Sequence, residues 1–473
     1  MAFNLADLFE HIADAVPGRE ALYAEGRTLT YRELDRRANR LAHHFAAAGI
    51  GAGDHVGCHL MNGPEYLETM LALLKIRAVP INVNFRYVRD ELRYLYDNAD
   101  LVGLVYDTEF AGRVAAVLPD VPRLRHLLAV GPGGDLPAGS LRYEEALAVR
   151  PDDRAGFPAR SADDLVIIYT GGTTGLPKGV VWRHEDLLFG GMSAGAEGLT
   201  APEDAGPRAA AADPLVMFAA PPLMHGTSVL ASFITFLGGG KVCLVRRYSG
   251  DAAVRVIREQ GCQTMMIVGD AMAVPLLEAL DALDADTRAL PSLRIIASAG
   301  ALLSPAVRAR LGAHLPELYI VDSFGSTETG HSGAGMDGNR HFTVNDTTTV
   351  LDADLAPVTP AAAWWARWPA AATSPSATTG TRPRPPAPSS KPAASAGPCP
   401  ATRPRWTPTA PSASSAAARS ASTPAARRST PKRSKPPSRP TRRSPTRSSR
   451  ASPTPAGGSG SPRCSSCTPP RTA

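Results

Sequence analysis

The sequence predicts an α/β protein, with a large N-terminal domain of layered α/β sheets over residues 1–358 and a disordered tail over 359–473. Three observations predict it. Short runs rich in Val, Ile and Leu alternate with amphipathic segments, which is the order of βαβ units. Many of these runs are apolar throughout rather than at every second residue, as strands buried on both faces of a mostly parallel sheet must be. Beyond Val358 the composition changes abruptly. No Asp, Glu, Val, Leu, Ile, Met, Phe, Tyr or His follows, and Pro, Ser, Ala, Thr and Arg dominate, so that stretch has nothing from which to build a core.

Taken in order, Thr30-Tyr31-Arg32-Glu33 reads as a capping box. Leu34, Ala38, Leu41 and Phe45 recur at helical spacing after it, until Gly49 closes the helix. Val56 to Leu60 follows as a strand, Pro64 to Ile76 as a helix and Val79 to Val83 as a strand. Leu101 to Tyr106, Leu165 to Tyr169, Val242 to Val245, Thr264 to Val268 and Leu293 to Ala297 extend the strand series. There is no convincing internal repeat.

Charge divides at the same boundary. All 44 acidic residues lie in the first 358, while 19 of the 50 basic residues lie beyond, so the front carries 31 basic residues and a net charge of −13. The overall +6 therefore describes the tail. Acids at Asp7 and Glu10 stand where a secretory leader carries Lys or Arg before an apolar core, which predicts a cytoplasmic protein. Apolar runs such as Leu67 to Ile76 are too short for a membrane span, which needs about 20 residues. Cys58, Cys243 and Cys262 stand singly, as reduced core thiols do. Nothing indicates an oligomeric state.

The strongest chemical signal begins at the strand Leu165 to Tyr169, which runs into Thr170-Gly171-Gly172-Thr173-Thr174-Gly175-Leu176-Pro177-Lys178. Glycines let main-chain N–H groups close on phosphate oxygens, the threonine hydroxyls add donors, and Lys178 offsets phosphate charge. Lys178 is followed by Gly179 rather than Ser or Thr, so this is not a Walker A loop. The bland alternative is a flexible hairpin turn. A second Gly/Ser/Thr turn, Asp322-Ser323-Phe324-Gly325-Ser326-Thr327-Glu328, follows the apolar run before it and contains a carboxylate. Glu328 suits Mg²⁺ held mainly by substrate phosphates, with Thr327 donating to a phosphate beside it. Its alternative is a helix N-cap, with Ser326 or Thr327 capping and Glu328 in the first turn.

Together the two segments resemble the adenylate-forming superfamily of acyl-CoA synthetases, luciferases and peptide-synthetase adenylation domains, over residues 1 to about 358. The resemblance implies ATP, Mg²⁺ and coenzyme A as cofactor and co-substrates and a small-molecule carboxylic acid as substrate. By it, Thr170, Gly171, Gly172, Thr173, Thr174, Gly175 and Lys178 hold phosphate, and Thr327 and Glu328 contact phosphate and Mg²⁺. Gly300, Ala301, Asp322, Ser323 and Phe324 form the adenine pocket, and His225 closes over the acyl carboxylate. An isolated His among apolar residues is more often a hydrogen-bonded core side chain. The position of His225 between the two motifs reverses that. The run Ile267 to Met272, with Trp182 to Asp186, looks like the fatty-acyl and steroid-side-chain CoA ligases. Val268 and Gly269 are then the wall of an acyl tunnel, Gly269 leaving room for an aliphatic chain. The alternative is an ordinary turn before a helix. In the implied reaction the acid attacks the α-phosphate of ATP, pyrophosphate leaves, and the CoA thiol displaces AMP. Positioning and charge neutralisation supply the catalysis, and no protein nucleophile is required.

After Pro360 the resemblance stops, and the tail reads as the right gene in the wrong frame. Reading each codon two bases late makes the second and third bases of every new codon the first two bases of the next tail residue's codon. With a suitable choice of synonymous codons, Trp364 to Arg382 becomes V-G-A-V-A-R-G-G-H-I-P-L-G-Y-Y-G-D-P. Gly397 to Ser412 gives A-V-P-G-D-T-A-T-V-D-A-D-G-T-I, and Ser422 to Pro436 gives N-T-G-G-E-K-V-Y-P-E-E-V-E-A. All three resemble the superfamily, in its order. The displaced residues include the Asp that, by resemblance, holds the ATP ribose, together with the hinge and the distal Lys of a smaller lid domain. The chain as written is thus expected to adenylate poorly. Two other readings stand beside this one: a basic arm binding nucleic-acid phosphates, which few interleaved aromatics support, and a remnant that binds ATP or acid without turnover. Cys464 and Cys467 have the spacing of half a zinc site but no second ligand pair.

Overall fold

The structure is a computed structural model that describes residues 2–171, 175–284, 289–335, 342–344, 348–352, 356–357 and 378–379. All of them fall in the first of the chain's two contact units, Met1–Ser420; the second, Ala421–Ala473, lies outside the described residues. So does nearly all of the stretch read as a tail.

Two sheets carry the fold. In the first, nine strands lie in the order Thr343–Val344, Gly330–Gly335, Tyr319–Ser326, Ile295–Ser298, Thr264–Ile267, Val216–Ala219, Lys241–Leu244, Glu20–Ala24 and Arg27–Thr30. The six from Tyr319–Ser326 to Glu20–Ala24 run parallel, with antiparallel strands at both edges. The second has eight strands: Thr378–Thr379, Lys178–Arg183, Leu165–Thr170, Val79–Asn82, His55–His59, Leu101–Asp107, His126–Val130 and Ser140–Arg142. Its six from Leu165–Thr170 onward are parallel.

Alternation along the strands explains the layering. Leu22, Val242 and Leu244 face one core, while Tyr23 and Cys243 between them face another. The shared core lies between the sheets and holds helices Leu5–Ala15, Tyr31–Ala47, Pro64–Lys75 and Gly226–Leu237. Gly250–Gln260, Asp270–Asp281 and Pro305–His314 cover the outer face of the first sheet, and Arg89–Asn98 and Ala111–Val117 that of the second. The result is five layers, α/β/α/β/α.

The expected strands are present with ends moved by a residue or two: Val56 to Leu60 is His55–His59, and Leu293 to Ala297 is Ile295–Ser298. The Thr30 capping box forms as read, with Thr30 Oγ1 accepting from Glu33 N and Glu33 accepting from Thr30 N. One alternative is overturned. Ser326 to Glu328 caps no helix; it turns the antiparallel hairpin of Tyr319–Ser326 and Gly330–Gly335. Short polar side chains satisfy tight turns as readily as helix ends, and Ser326 and Thr329 exchange such bonds here.

Candidate active site

The parallel strands of both sheets deliver their C-terminal ends to one cleft. Val216–Ala219 connects to Lys241–Leu244 on one side, while its other neighbour, Thr264–Ile267, connects onward to Ile295–Ser298, so the connections from these adjacent strands run in opposite directions. Such a switch point leaves a crevice outside the strand ends. A cleft of about 170 Å³ lies there, lined by Asn82, Thr170, Gly171, His225, Thr227 and Thr327 among others.

Thr170 ends the strand Leu165–Thr170 and faces Lys178 across the antiparallel pair, so Lys178 is held at the root of the loop and remains exposed. Gly175 takes φ +130°, a conformation that excludes most side chains. Gly172, Thr173 and Thr174 lie outside the described residues.

His225 is set by a small polar frame that the sequence did not single out. Asn82 Nδ2 donates to Tyr169 O at 2.8 Å and Met224 O at 2.7 Å, and Asn82 Oδ1 accepts from Tyr169 N at 2.6 Å. One side chain therefore ties the start of the Thr170 loop to the residue before His225. Behind it, Asn62 accepts from Leu223 N at 2.8 Å, and Ser228 Oγ donates to Pro221 O at 2.8 Å. His225 precedes helix Gly226–Leu237, where its carbonyl accepts from Ser228 N. Surrounding protein, and secondarily Arg86, holds its imidazole below the ordinary value, so the ring is neutral at pH 7.

The turn with Thr327 and Glu328 joins the same cleft through a second link. Trp182 Nε1 donates to Thr327 O at 2.9 Å. Thr327 lines the cleft and Glu328 beside it is exposed. Gly330 closes the hairpin at φ +70°, and a Cβ there would lie 2.6 Å from Gly191 Cα. Only glycine lets the turn sit this close to the segment after Trp182.

The other expected residues sit along the same strand ends without lining this cleft. Gly300 follows Ile295–Ser298 at φ +80°, its nearest side chains Thr227 and Val268, and Ala301 is exposed. Ser323 and Phe324 are half-buried in Tyr319–Ser326, and Phe324 meets Phe342 edge-on at 4.6 Å. Asp322 is ion-paired with Arg308, which also donates to Ile320 O. Gly269 is held by its backbone neighbours. At φ +53°, the position a Cβ would take lies 2.4 Å from Leu302 O, so only glycine fits there. It is the turn before helix Asp270–Asp281.

Apolar space lies elsewhere. A small apolar pocket of about 20 Å³ shares Asn82, Met224 and Gly226 with the cleft and is lined by Ile168, Val229 and Phe233. The cleft itself offers the hydroxyls of Thr170, Thr227 and Thr327 and a neutral imidazole, with exposed Lys178 paired to Thr170 and exposed Glu328 next to Thr327. That inventory handles phosphate and a carboxylate by neutralisation and positioning.

A family model described as AMP-binding enzyme matches residues 9–356. The chain belongs to the AMP-binding enzymes. Among curated members of this family it is 42% identical to the 3-oxocholest-4-en-26-oate–CoA ligase of Rhodococcus rhodochrous, over 76% of this chain and 68% of that one. It is 41% identical to a medium/long-chain-fatty-acid–CoA/3-oxocholest-4-en-26-oate–CoA ligase of Mycobacterium marinum, over 74% and 67%. The match thus spans about two thirds of these AMP-binding relatives. Among solved structures, the anthranilate CoA ligase AuaEII with anthranoyl-AMP superposes with a TM-score of 0.66 at 19% identity, over 76% of this chain and 68% of that one. The N-terminal domain of FACL13 from Mycobacterium tuberculosis gives 0.64 at 19%, over 76% and 86%. At that identity these two share the fold.

Proposed function

We propose that this chain is an ATP-dependent acid:CoA ligase that forms an acyl-adenylate and then an acyl-CoA from a fatty or steroid-side-chain carboxylate. The observation that carries the reading is the cleft where Thr170, His225 and Thr327 meet, with Asn82, Met224 and Gly226 lining both it and a small apolar pocket. A carboxylate at the mouth meets His225 and the ATP α-phosphate, while its tail lies among apolar side chains.

In this reading Thr170, Gly171, Gly172, Thr173, Thr174, Gly175 and Lys178 hold the departing pyrophosphate. Thr327 donates to the α-phosphate, and neutral His225 orients the acyl carboxylate without adding charge. Gly300, Ala301, Asp322, Ser323 and Phe324 border the adenine, with Val268 beside Gly300. Glu328 is an exposed carboxylate, and the described residues hold no cluster of three or more His, Cys, Asp or Glu. This fits a Mg²⁺ carried largely by phosphate oxygens, which neutralises charge developing on the leaving group. Free ATP and CoA suit a cytoplasmic enzyme.

A second proposal concerns the tail: loss of a single G from CCG GGC at Pro360 shifts the frame. The readable segments recovered by the shift support it, as does the end of the family match at residue 356. The chain as written then lacks the ribose carboxylate, hinge and lid, and adenylates weakly. Resequencing the codons for Val358 to Trp365 from independent template tests it; an intact single reading there overturns it.

The ligase reading is tested by incubating the full chain with MgATP, decanoate and hydroxylamine. Acyl-hydroxamate that depends on both ATP and acid is expected, at a low rate. ATP binding with no acid-dependent product, before and after restoring the frame, contradicts it and favours a non-catalytic remnant.

A further inference from the structure

Resting on the acid-ligase reading, in which Thr327 and Glu328 meet phosphate and Mg²⁺, we infer that the π-helical turn Leu187–Gly191 is a positioning element that sets the height of these two residues at the cleft. It is the one π-helical turn among the described residues. Met192 N donates to Leu187 O at 2.8 Å, a bond that spans five residues where an α turn spans four. Such widened turns are rare and stand frequently at functional sites. The core fixes this one from below. Leu187, Leu188 and Met192 are buried between the sheets, and His184, which opens the helical segment, accepts from Leu5 N at 3.2 Å.

What the turn presents to the hairpin of Tyr319–Ser326 and Gly330–Gly335 is bare backbone. A Cβ on Gly330 would lie 2.6 Å from Gly191 Cα, 2.7 Å from Gly190 O and 3.0 Å from Gly191 N. Across the hairpin, a Cβ on Gly325 would lie 2.1 Å from Gly330 O. Backbone therefore follows backbone from Gly190–Gly191 through Gly330 to Gly325, with no side chain between them to yield. The residues of the hairpin turn are locked to one another as well: Ser326 N donates to Thr329 Oγ1 at 3.2 Å, and Thr329 Oγ1 pairs with Ser332 Oγ at 3.1 Å. The bond from Trp182 holds a single carbonyl of this turn, whereas the stacked backbone sets how far the whole turn stands off. An α turn closes one residue sooner and draws the Gly190–Gly191 backbone in, which withdraws the surface on which Gly330 rests. Phe189 is the residue to remove, since it is 40% exposed and its ring meets only Phe3, edge-on at 5.0 Å.

The test is isothermal titration of the full chain with ATP, once with Mg²⁺ and once with EDTA. Deletion of Phe189 returns the turn to α spacing. Gly330→Ala acts from the other side, because the hairpin turn must withdraw by about 1 Å before the new methyl reaches ordinary contact. Each is expected to weaken ATP binding in Mg²⁺ by at least about tenfold, and binding in EDTA distinctly less, since the phosphate loop is untouched. Phe189→Ala removes the ring and keeps the turn, and is expected to bind ATP as the wild type does under both conditions. The two disruptive variants alter different segments, so one that fails to fold leaves the other decisive. Equal losses with and without Mg²⁺, or a Phe189→Ala variant that matches the deletion, overturn the positioning role and leave the ligase reading intact. Wild-type binding that is indifferent to Mg²⁺ also overturns it, by removing the role of Glu328. No ATP binding by the wild type overturns the ligase reading itself.

Discussion

Trp182 Nε1 donates to the carbonyl oxygen of Thr327 at 2.9 Å, joining the strand after the phosphate loop to the turn that carries Glu328. The two motifs lie 145 residues apart in sequence, and they sit in different sheets. Trp182 is itself buried, so the bond is made in a setting where leaving the carbonyl unpaired is costly. Trp182→Phe keeps most of the apolar contact and removes the donor. It should lower stability by about 1 kcal/mol, read as a shift in the urea midpoint, and weaken ATP binding more than acid binding. Equal loss of both ligands would mean that the indole serves only the core.

Asn82 is the corresponding clip on the acid side, with three hydrogen bonds to Tyr169 and Met224. Asn82→Leu is close in volume but strands two carbonyls and one N–H. A loss of about 2 kcal/mol is expected, with affinity for both ATP and decanoate reduced because the loop after Thr170 and the peptide before His225 are released together. Wild-type affinity for both ligands would show that neighbouring backbone sets these segments without it.

Acid should unfold this protein earlier than its carboxylates alone require. Burial drives the His44 and His184 imidazoles down to about 4 and that of His59 to about 3. Each keeps one ring nitrogen without a partner among the described residues: His44 Nδ1, His59 Nε2 and His184 Nε2. The unfolded chain takes up protons near pH 6.5 while the native rings stay neutral, so below that point the unfolded state binds more protons and stability falls. Their contribution is flat above about pH 7 and declines between about 6.5 and 4. Melting temperature followed from pH 7.5 to 5 should drop steadily. A flat profile over that window would contradict the neutral assignment.

Much of the fold is legible in the sequence. The strands came through because a buried parallel strand is apolar on both faces, as Leu165–Thr170 is, and the capping box at Thr30 because its spacing is local. The hairpin Glu20–Ala24 with Arg27–Thr30 did not, since it is short and turns at Glu25-Gly26, where positive φ is the only cue. Asn82 and Trp182 belong to no motif; their partners are distant in sequence, so only assembly of the two sheets reveals their roles. The close approach of Leu302 backbone that requires glycine at position 269 is a contact between distant segments and leaves no mark in the sequence.

The most direct test is acid-dependent exchange of labelled pyrophosphate into ATP, measured on the chain as written and on the chain with one G restored at the Pro360 codon. Exchange stimulated by decanoate, weak in the first, at least about a hundredfold faster in the second and abolished there by Thr327→Val with Glu328→Gln, is the predicted result. No acid-dependent exchange in either form would contradict the assignment of this chain as an acid-adenylating ligase.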